Sequence, residues 1–136
     1  EPIPTSHPNG GNGYRFTENG KSVVFLTDNE LGFRHPGGLP FSEYVARIDG
    51  ADLLIHDAEY TPQEYRRFRK WGHSVYTDAV RLASEAGCQR LGLFHLNPER
   101  TDTEMDRIVS ECKDIISTAG NGLECFGVGG HWQVTL

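Results

Sequence analysis

The sequence predicts an α/β domain built from a β-hairpin, then repeated strand–helix units, then two closing strands. Apolar runs of strand length, rich in branched and aromatic residues, recur at 23–27, 51–56 and 91–94. Capping-box signatures, Thr61-Pro62-Gln63-Glu64 and Thr101-Asp102-Thr103-Glu104, open two of the stretches that follow them. Each apolar run also stops on a residue able to hold a metal: Asp28, Asp57 and His95. In open α/β sheets, ligands gather outside the carboxyl ends of the strands.

Taken in order, residues 1–13 carry Pro2, Pro4, Pro8, Gly10, Gly11 and Gly13 and read as a loop. A strand over 14–17 meets the turn Asn19-Gly20, a strong hairpin signal, and returns as a strand over 21–27. Residues 29–41, with Pro36, Gly37, Gly38 and Pro40, form an irregular loop, and a short helix over 42–48 stops at Asp49-Gly50. The second apolar strand, 52–56, is followed by a helix with Pro62 at its first position, ending near Trp71-Gly72. A further helix starts at Ser74, with Val75, Ala79, Leu82, Ala83 and Ala86 on one face and Gly87 closing it. After the strand 90–94 comes the longest helix, striped by Met105, Ile108, Val109, Cys112, Ile115 and Ile116 and ended by Gly120. Segments 123–127 and 131–136 read as the closing strands. The separations from Asp28 to Asp57 and from Asp57 to His95 suit crossover units of about 30 residues or more.

At 136 residues the chain fits one domain. No apolar stretch approaches the ~20 residues needed to span a bilayer, and no signal-peptide pattern is visible. The chain opens on Glu1 instead of Met, so an upstream segment is expected. A net charge of −6 argues against nucleic-acid affinity through bulk electrostatics. It leaves phosphate substrates open, because a bound divalent metal supplies local positive charge. Cys88, Cys112 and Cys125 sit within apolar patterns, form no CxxC, and read as small buried hydrophobes in a reducing cytoplasm.

Asp28 ends a buried strand, where a carboxylate is costly unless paired, hydrogen-bonded or metal-bound; it reads as a metal ligand or as a cap on the next loop. His95, before the turn Leu96-Asn97-Pro98, could bond a backbone carbonyl, but candidate ligands on neighbouring strand ends favour metal. His7 lies in the loop Ser6-His7-Pro8 and alone reads as a surface histidine. Asp57 and His73 pair as a carboxylate-oriented histidine, the usual makeup of a general acid or of a support for a metal ligand. His56 should point to the opposite side of the sheet and reads as structural. His35 and His131 have no supporting context. The cluster Arg66, Arg67, Arg69 and Lys70 reads as a solvated helix face, with substrate guidance as the alternative.

The resemblance becomes specific when the motifs are taken together. Ser6-His7-Pro8 is followed by Val24-Phe25-Leu26-Thr27-Asp28-Asn29-Glu30, then by Ala51-Asp52-Leu53-Leu54-Ile55-His56-Asp57-Ala58-Glu59-Tyr60-Thr61. Trp71-Gly72-His73-Ser74 and Leu93-Phe94-His95-Leu96-Asn97-Pro98 complete the order. This series resembles the carboxyl-terminal half of a metallo-β-lactamase-fold hydrolase, in the branch containing ribonuclease Z and cyclic-phosphate phosphodiesterases.

The resemblance implies residues 1–136 as half of a four-layer αββα sandwich, with the amino-terminal half absent. It implies two divalent metals, zinc first, with manganese or iron as alternatives. His7 would complete one metal's ligand set, Asp28 would bridge both metals and His95 would bind the second. Asp57 with His73 is similar to the pair that ribonuclease Z places beside its substrate phosphate, with Asp where that family commonly has Glu.

The family's His-x-His-x-Asp-His signature occurs nowhere in the chain. Zinc normally takes three or four protein ligands, so the ligand set within this chain is expected to be incomplete and the isolated chain inactive. The expected substrate is a small phosphodiester or nucleotide-like ester. The expected partner is the missing half or a second copy, since half a sandwich exposes an apolar sheet. No membrane partner is expected. A binding or regulatory module on the same scaffold is the alternative. A receiver-like signalling domain is a weaker one, because His95 stands where that class needs a lysine.

Overall fold

The computed structural model describes all 136 residues. Strands β1 (Pro2–Pro4), β2 (Asn12–Glu18) and β3 (Lys21–Leu26) are antiparallel neighbours. Strands β4 (Leu53–Asp57), β5 (Arg90–Phe94) and β6 (Glu124–Gly127) continue the sheet parallel to β3 and to one another. The strand order is the chain order, β1 to β6. The carboxyl ends of β3, β4 and β5 therefore stand side by side on one edge.

The helices are α1 (Phe41–Ile48), α2 (Pro62–Phe68), α3 (Tyr76–Glu85) and α4 (Asp102–Ala119). Both expected capping boxes form: Thr61 accepts from Glu64 N and Thr101 from Glu104 N, and each glutamate side chain accepts from its cap residue's backbone N–H. Gly120, at φ 66°, ends α4 in the left-handed region, where a β-carbon would be strained. One face of the sheet, carrying Val24, Leu26, Leu54, Leu91, Leu93 and Cys125, packs against Tyr44 and Ile48 of α1, Ala79, Val80 and Leu82 of α3, and Ile108 and Cys112 of α4. All three cysteines are free and buried, as expected. Ile115, expected in the α4 stripe, is exposed.

Three boundaries differ from the sequence reading. The expected leading loop contains β1, and the hairpin strand β2 begins at Asn12. Two prolines argue against a strand, but the pairing register accommodates them. Thr5 N donates to Gly11 O and Arg15 N donates to Glu1 O, so the odd positions bond to β2. Pro2 and Pro4 face away from β2 on an edge strand, where a missing N–H costs little. Ile3 between them is fully buried.

The second difference is at the carboxyl end: residues 131–136 do not form a strand. Val128 N still donates to Leu93 O, but Gly129 and Gly130 turn the chain away. Trp132 then stacks on Phe126 at 4.5 Å, and Arg90 Nη1 donates to the Thr135 carbonyl. Ring stacking and one guanidinium bond replace the ladder there. Third, α2 ends at Phe68 and α3 begins at Tyr76, so the segment between them, which includes His73, is a loop.

On the face opposite the helices, Tyr14, Phe16 and Phe25 are substantially exposed and share one side of the hairpin through the pairs Tyr14↔Phe25 and Phe16↔Val23. This matches the expectation of an open apolar sheet surface. No helix is long and apolar enough to cross a membrane.

Candidate functional site

Asp28, Asp57 and His95 stand at the ends of β3, β4 and β5 and meet at one edge of the sheet. Asp28 and His95 both take left-handed backbone, φ 50° and 51°, in which non-glycine residues are uncommon. Such conformations persist where the surroundings enforce them and concentrate at functional sites. Here each one turns the chain off its strand with the side chain at the edge. Asp28 Oδ1 lies 3.5 Å from His95 Nε2, and half of the Asp28 side chain remains exposed.

His73 enters from the α2–α3 loop. An isolated parallel bridge, Tyr60↔Val75, ties that loop to the continuation of β4 and sets His73 beside Asp57. His73 Nδ1 donates to Asp57 Oδ2 at 2.7 Å, while Asp57 Oδ1 accepts from Ser74 N at 3.0 Å. The bond fixes the tautomer and leaves Nε2 for the site. Burial pulls the His73 imidazole down, but the bond to Asp57 and the charges of Asp57, Glu59 and Asp28 outweigh it, so its pKa is raised. The ring stacks on His95 with centroids 4.5 Å apart and meets His7 edge-on at 5.6 Å.

The five expected site residues are thus brought together, but the division into a metal set and a supporting pair is less sharp than the sequence suggested. The groups His7–Asp28–His73 and Asp57–His73–His95 each hold ligand atoms within 4.8 Å of one another. His73 belongs to both. The donor set, imidazole nitrogens and carboxylate oxygens, suits zinc or another divalent ion. His95 Nδ1 is buried and makes no well-formed hydrogen bond, with the Glu59 carboxylate facing it at 3.3 Å. The residues present therefore fit a metal. A cleft of about 460 Å³, lined by His7, Asn9, Gly10, Tyr14, Phe25 and Asp28 among others, adjoins the ligand groups.

Sequence reasoning missed two acidic residues. Glu59 places its carboxylate 3.5 Å from His73 Nδ1 and 3.3 Å from His95 Nδ1, within reach of both stacked rings. Arg100 Nη2 holds the Glu59 carbonyl at 3.0 Å and Glu64 Oε2 at 2.8 Å, joining the segment after His95 to the α2 cap. Its position two residues beyond Asp57 was the available signal for Glu59. The second is Glu30, whose buried side chain accepts from His35, a residue for which the sequence offered no context.

His56 is structural, as expected. Its ring lies on the helix-packed face, paired in register with Leu26 and Leu93. Nδ1 donates to the Asp57 carbonyl at 2.7 Å and Nε2 accepts from Asn29 Nδ2 at 3.2 Å, which requires the neutral form. Burial holds its pKa below the ordinary 6.5, against the upward pull of Asp57. The unfolded chain therefore takes up a proton at a pH where the fold cannot. Stability is expected to fall as pH drops through about 6.5 toward the depressed folded value. Urea unfolding at pH 7.5 and 5.5 checks this, and H56Q should flatten the dependence.

The basic cluster is solvated: Arg66, Arg67, Arg69 and Lys70 are exposed and form no ion pairs, although Arg69 and Lys70 lie over the Phe33 ring.

Residues 2–96 match the Beta-lactamase superfamily domain. The chain belongs to the beta-lactamase superfamily. Its sheet and helices correspond to half of a larger member: the metallo-beta-lactamase fold protein YhfI from Bacillus subtilis superposes with a TM-score of 0.72 at 23% identity. That match covers 96% of this chain and 46% of YhfI. The short form of human tRNase Z superposes with a TM-score of 0.60 at 24% identity, covering 71% of this chain and 35% of that one. In sequence, ribonuclease Z of Brevibacillus brevis is 31% identical over 100 residues, 71% of this chain. This superfamily member spans 29% of that relative's length. The match and the fold displace the receiver-like reading.

Proposed function

We propose that the protein is a metal-dependent hydrolase of phosphodiester or related ester bonds. The observation that carries the reading is the convergence of His7, Asp28 and His95 with a histidine already bonded to a buried carboxylate. His7, Asp28 and His95 are the metal ligands in this reading, and Asp57 and His73 are the catalytic pair. A bound pair of divalent ions supplies an activated water and a clamp for phosphoryl oxygens. The chain's own residues supply the rest. Asp57 fixes His73 and keeps its proton at Nδ1. His73, with its raised pKa, carries a second proton at Nε2 and delivers it to the departing oxygen. The cleft beside His7 and Asp28 receives the substrate. Similarity to ribonuclease Z supports a phosphodiester, including one within RNA.

Within this chain His7 and Asp28 serve one ion and Asp28 and His95 the other, fewer ligands than zinc normally takes. The remaining ligands, in this reading, come from an amino-terminal part of the domain or from a second copy. A zinc titration of the 136 residues tests it: tight binding of two ions by the monomer would sink the incompleteness. Hydrolysis of bis(p-nitrophenyl) phosphate tests the activity. The protein carrying the whole domain should lose turnover on chelation and regain it with zinc, manganese or iron, and turnover that survives chelation would overturn the reading.

A further inference from the structure

We infer that Glu30 is a positioning residue of the candidate centre, holding the 70–72 loop against His7 and so setting where His7 and His73 stand relative to Asp28. Its side chain is fully buried. Oε1 accepts from Tyr65 Oη at 2.6 Å and from Lys70 N at 2.7 Å. Oε2 accepts from Gly72 N at 2.9 Å and from His35 Nε2 at 2.8 Å. Four donors from three segments thus end on one carboxylate, and two of them are backbone N–H groups of the loop that delivers His73.

That loop needs an outside support. Lys70 and Gly72 both have positive φ, 75° and 101°, and Lys70 has a β-carbon to strain. The bonds to Glu30 offset this. Their effect is visible at Gly72, where an added β-carbon would lie 2.2 Å from His7 Cδ2. The loop backbone therefore rests directly on the His7 ring, with His73 as the next residue.

The same short stretch fixes His7 from its other side. Ser6 N donates to Asn29 Oδ1 at 2.8 Å, and Glu30 N donates to Ser6 O at 2.8 Å. Ser74 Oγ, one residue beyond His73, donates to Asn29 O at 2.6 Å. His7 and His73 are both flanked by residues anchored at positions 29 and 30, immediately after Asp28. Glu30 touches neither histidine and acts on them through the loop backbone at Lys70 and Gly72 and through its own N–H bond to Ser6 O.

The kinetic arm of the test rests on the proposed hydrolase reading, and the spectroscopic arm does not. In E30Q, an amide NH₂ faces donors on one side of the buried pocket. The through-space NMR contact between the His7 Hδ2 proton and the Gly72 Hα protons should be lost. In the protein carrying the whole domain, kcat on bis(p-nitrophenyl) phosphate should fall about 10- to 100-fold, with KM within about twofold, because misplacing a reacting group costs turnover more than binding. G72A keeps the Glu30 carboxylate but sets a β-carbon against the His7 ring, and it should lower kcat in the same way. Folded E30Q protein that keeps the His7–Gly72 contact and the wild-type kcat, or folded G72A protein with the wild-type kcat, would overturn the inference. If the unsubstituted whole-domain protein shows no turnover, the hydrolase reading fails, and the NMR contact alone decides for or against Glu30.

Discussion

In the proposed hydrolase, replacing Asp28 with asparagine in the protein carrying the whole domain is expected to reduce phosphodiester turnover by on the order of 10³-fold while leaving the fold in place. The two halves of that outcome have separate causes. Asparagine keeps the size of the side chain and, like aspartate, tolerates the left-handed backbone found at φ 50°, so the turn after β3 should survive. What is lost is the negative charge between His7 and His95, at the point where the two ligand groups approach each other. A neutral amide is a poor bridge between two divalent cations. Metal content by elemental analysis should therefore fall with kcat, while the thermal midpoint moves little. D28N protein that retains the unsubstituted protein's metal content and turnover would exclude Asp28 as the proposed bridge.

The second large effect is at the Asp57–His73 pair. H73A should lower kcat by about 10²- to 10⁴-fold, the usual contribution of a positioned acid or base. D57N is more diagnostic. Asp57 accepts from both His73 Nδ1 and Ser74 N, so an asparagine that keeps the Ser74 bond turns its NH₂ toward the imidazole. The ring then loses both its tautomer and the charge that, against burial, raises its pKa. The high-pH limb of the kcat profile, where in the proposed mechanism His73 gives up its proton, should move to lower pH in D57N. An unshifted limb in an active D57N protein would assign the proton to another group.

Much of this arrangement is legible in the chain because it lies at element ends. Apolar runs that stop on Asp28, Asp57 and His95 are local signals, and a parallel sheet in chain order converts them into neighbours. The capping boxes at Thr61 and Thr101 are likewise complete within four residues. Glu30 and Glu59 are different. Their partners lie up to 42 residues away, and nothing local separates a buried carboxylate with four donors from a solvated one. The β1 strand escaped notice because proline content argues against strands, and only the register shows that both rings face outward. The carboxyl-terminal segment misled in the opposite sense: alternation suggested a strand, but the Gly129–Gly130 turn and the Trp132–Phe126 stack took precedence.

Pro2 and Pro4 bear on how copies of this chain can meet. Their outward positions have no N–H to offer, so the β1 edge cannot be extended by a strand from another molecule through a regular ladder. Lateral growth into fibrils is closed on that side. The apolar surface that remains open lies on the hairpin face, at Phe16 and Phe25. The β1 edge thus removes one of the sheet's two routes to strand-by-strand growth and leaves the β6 edge as the other.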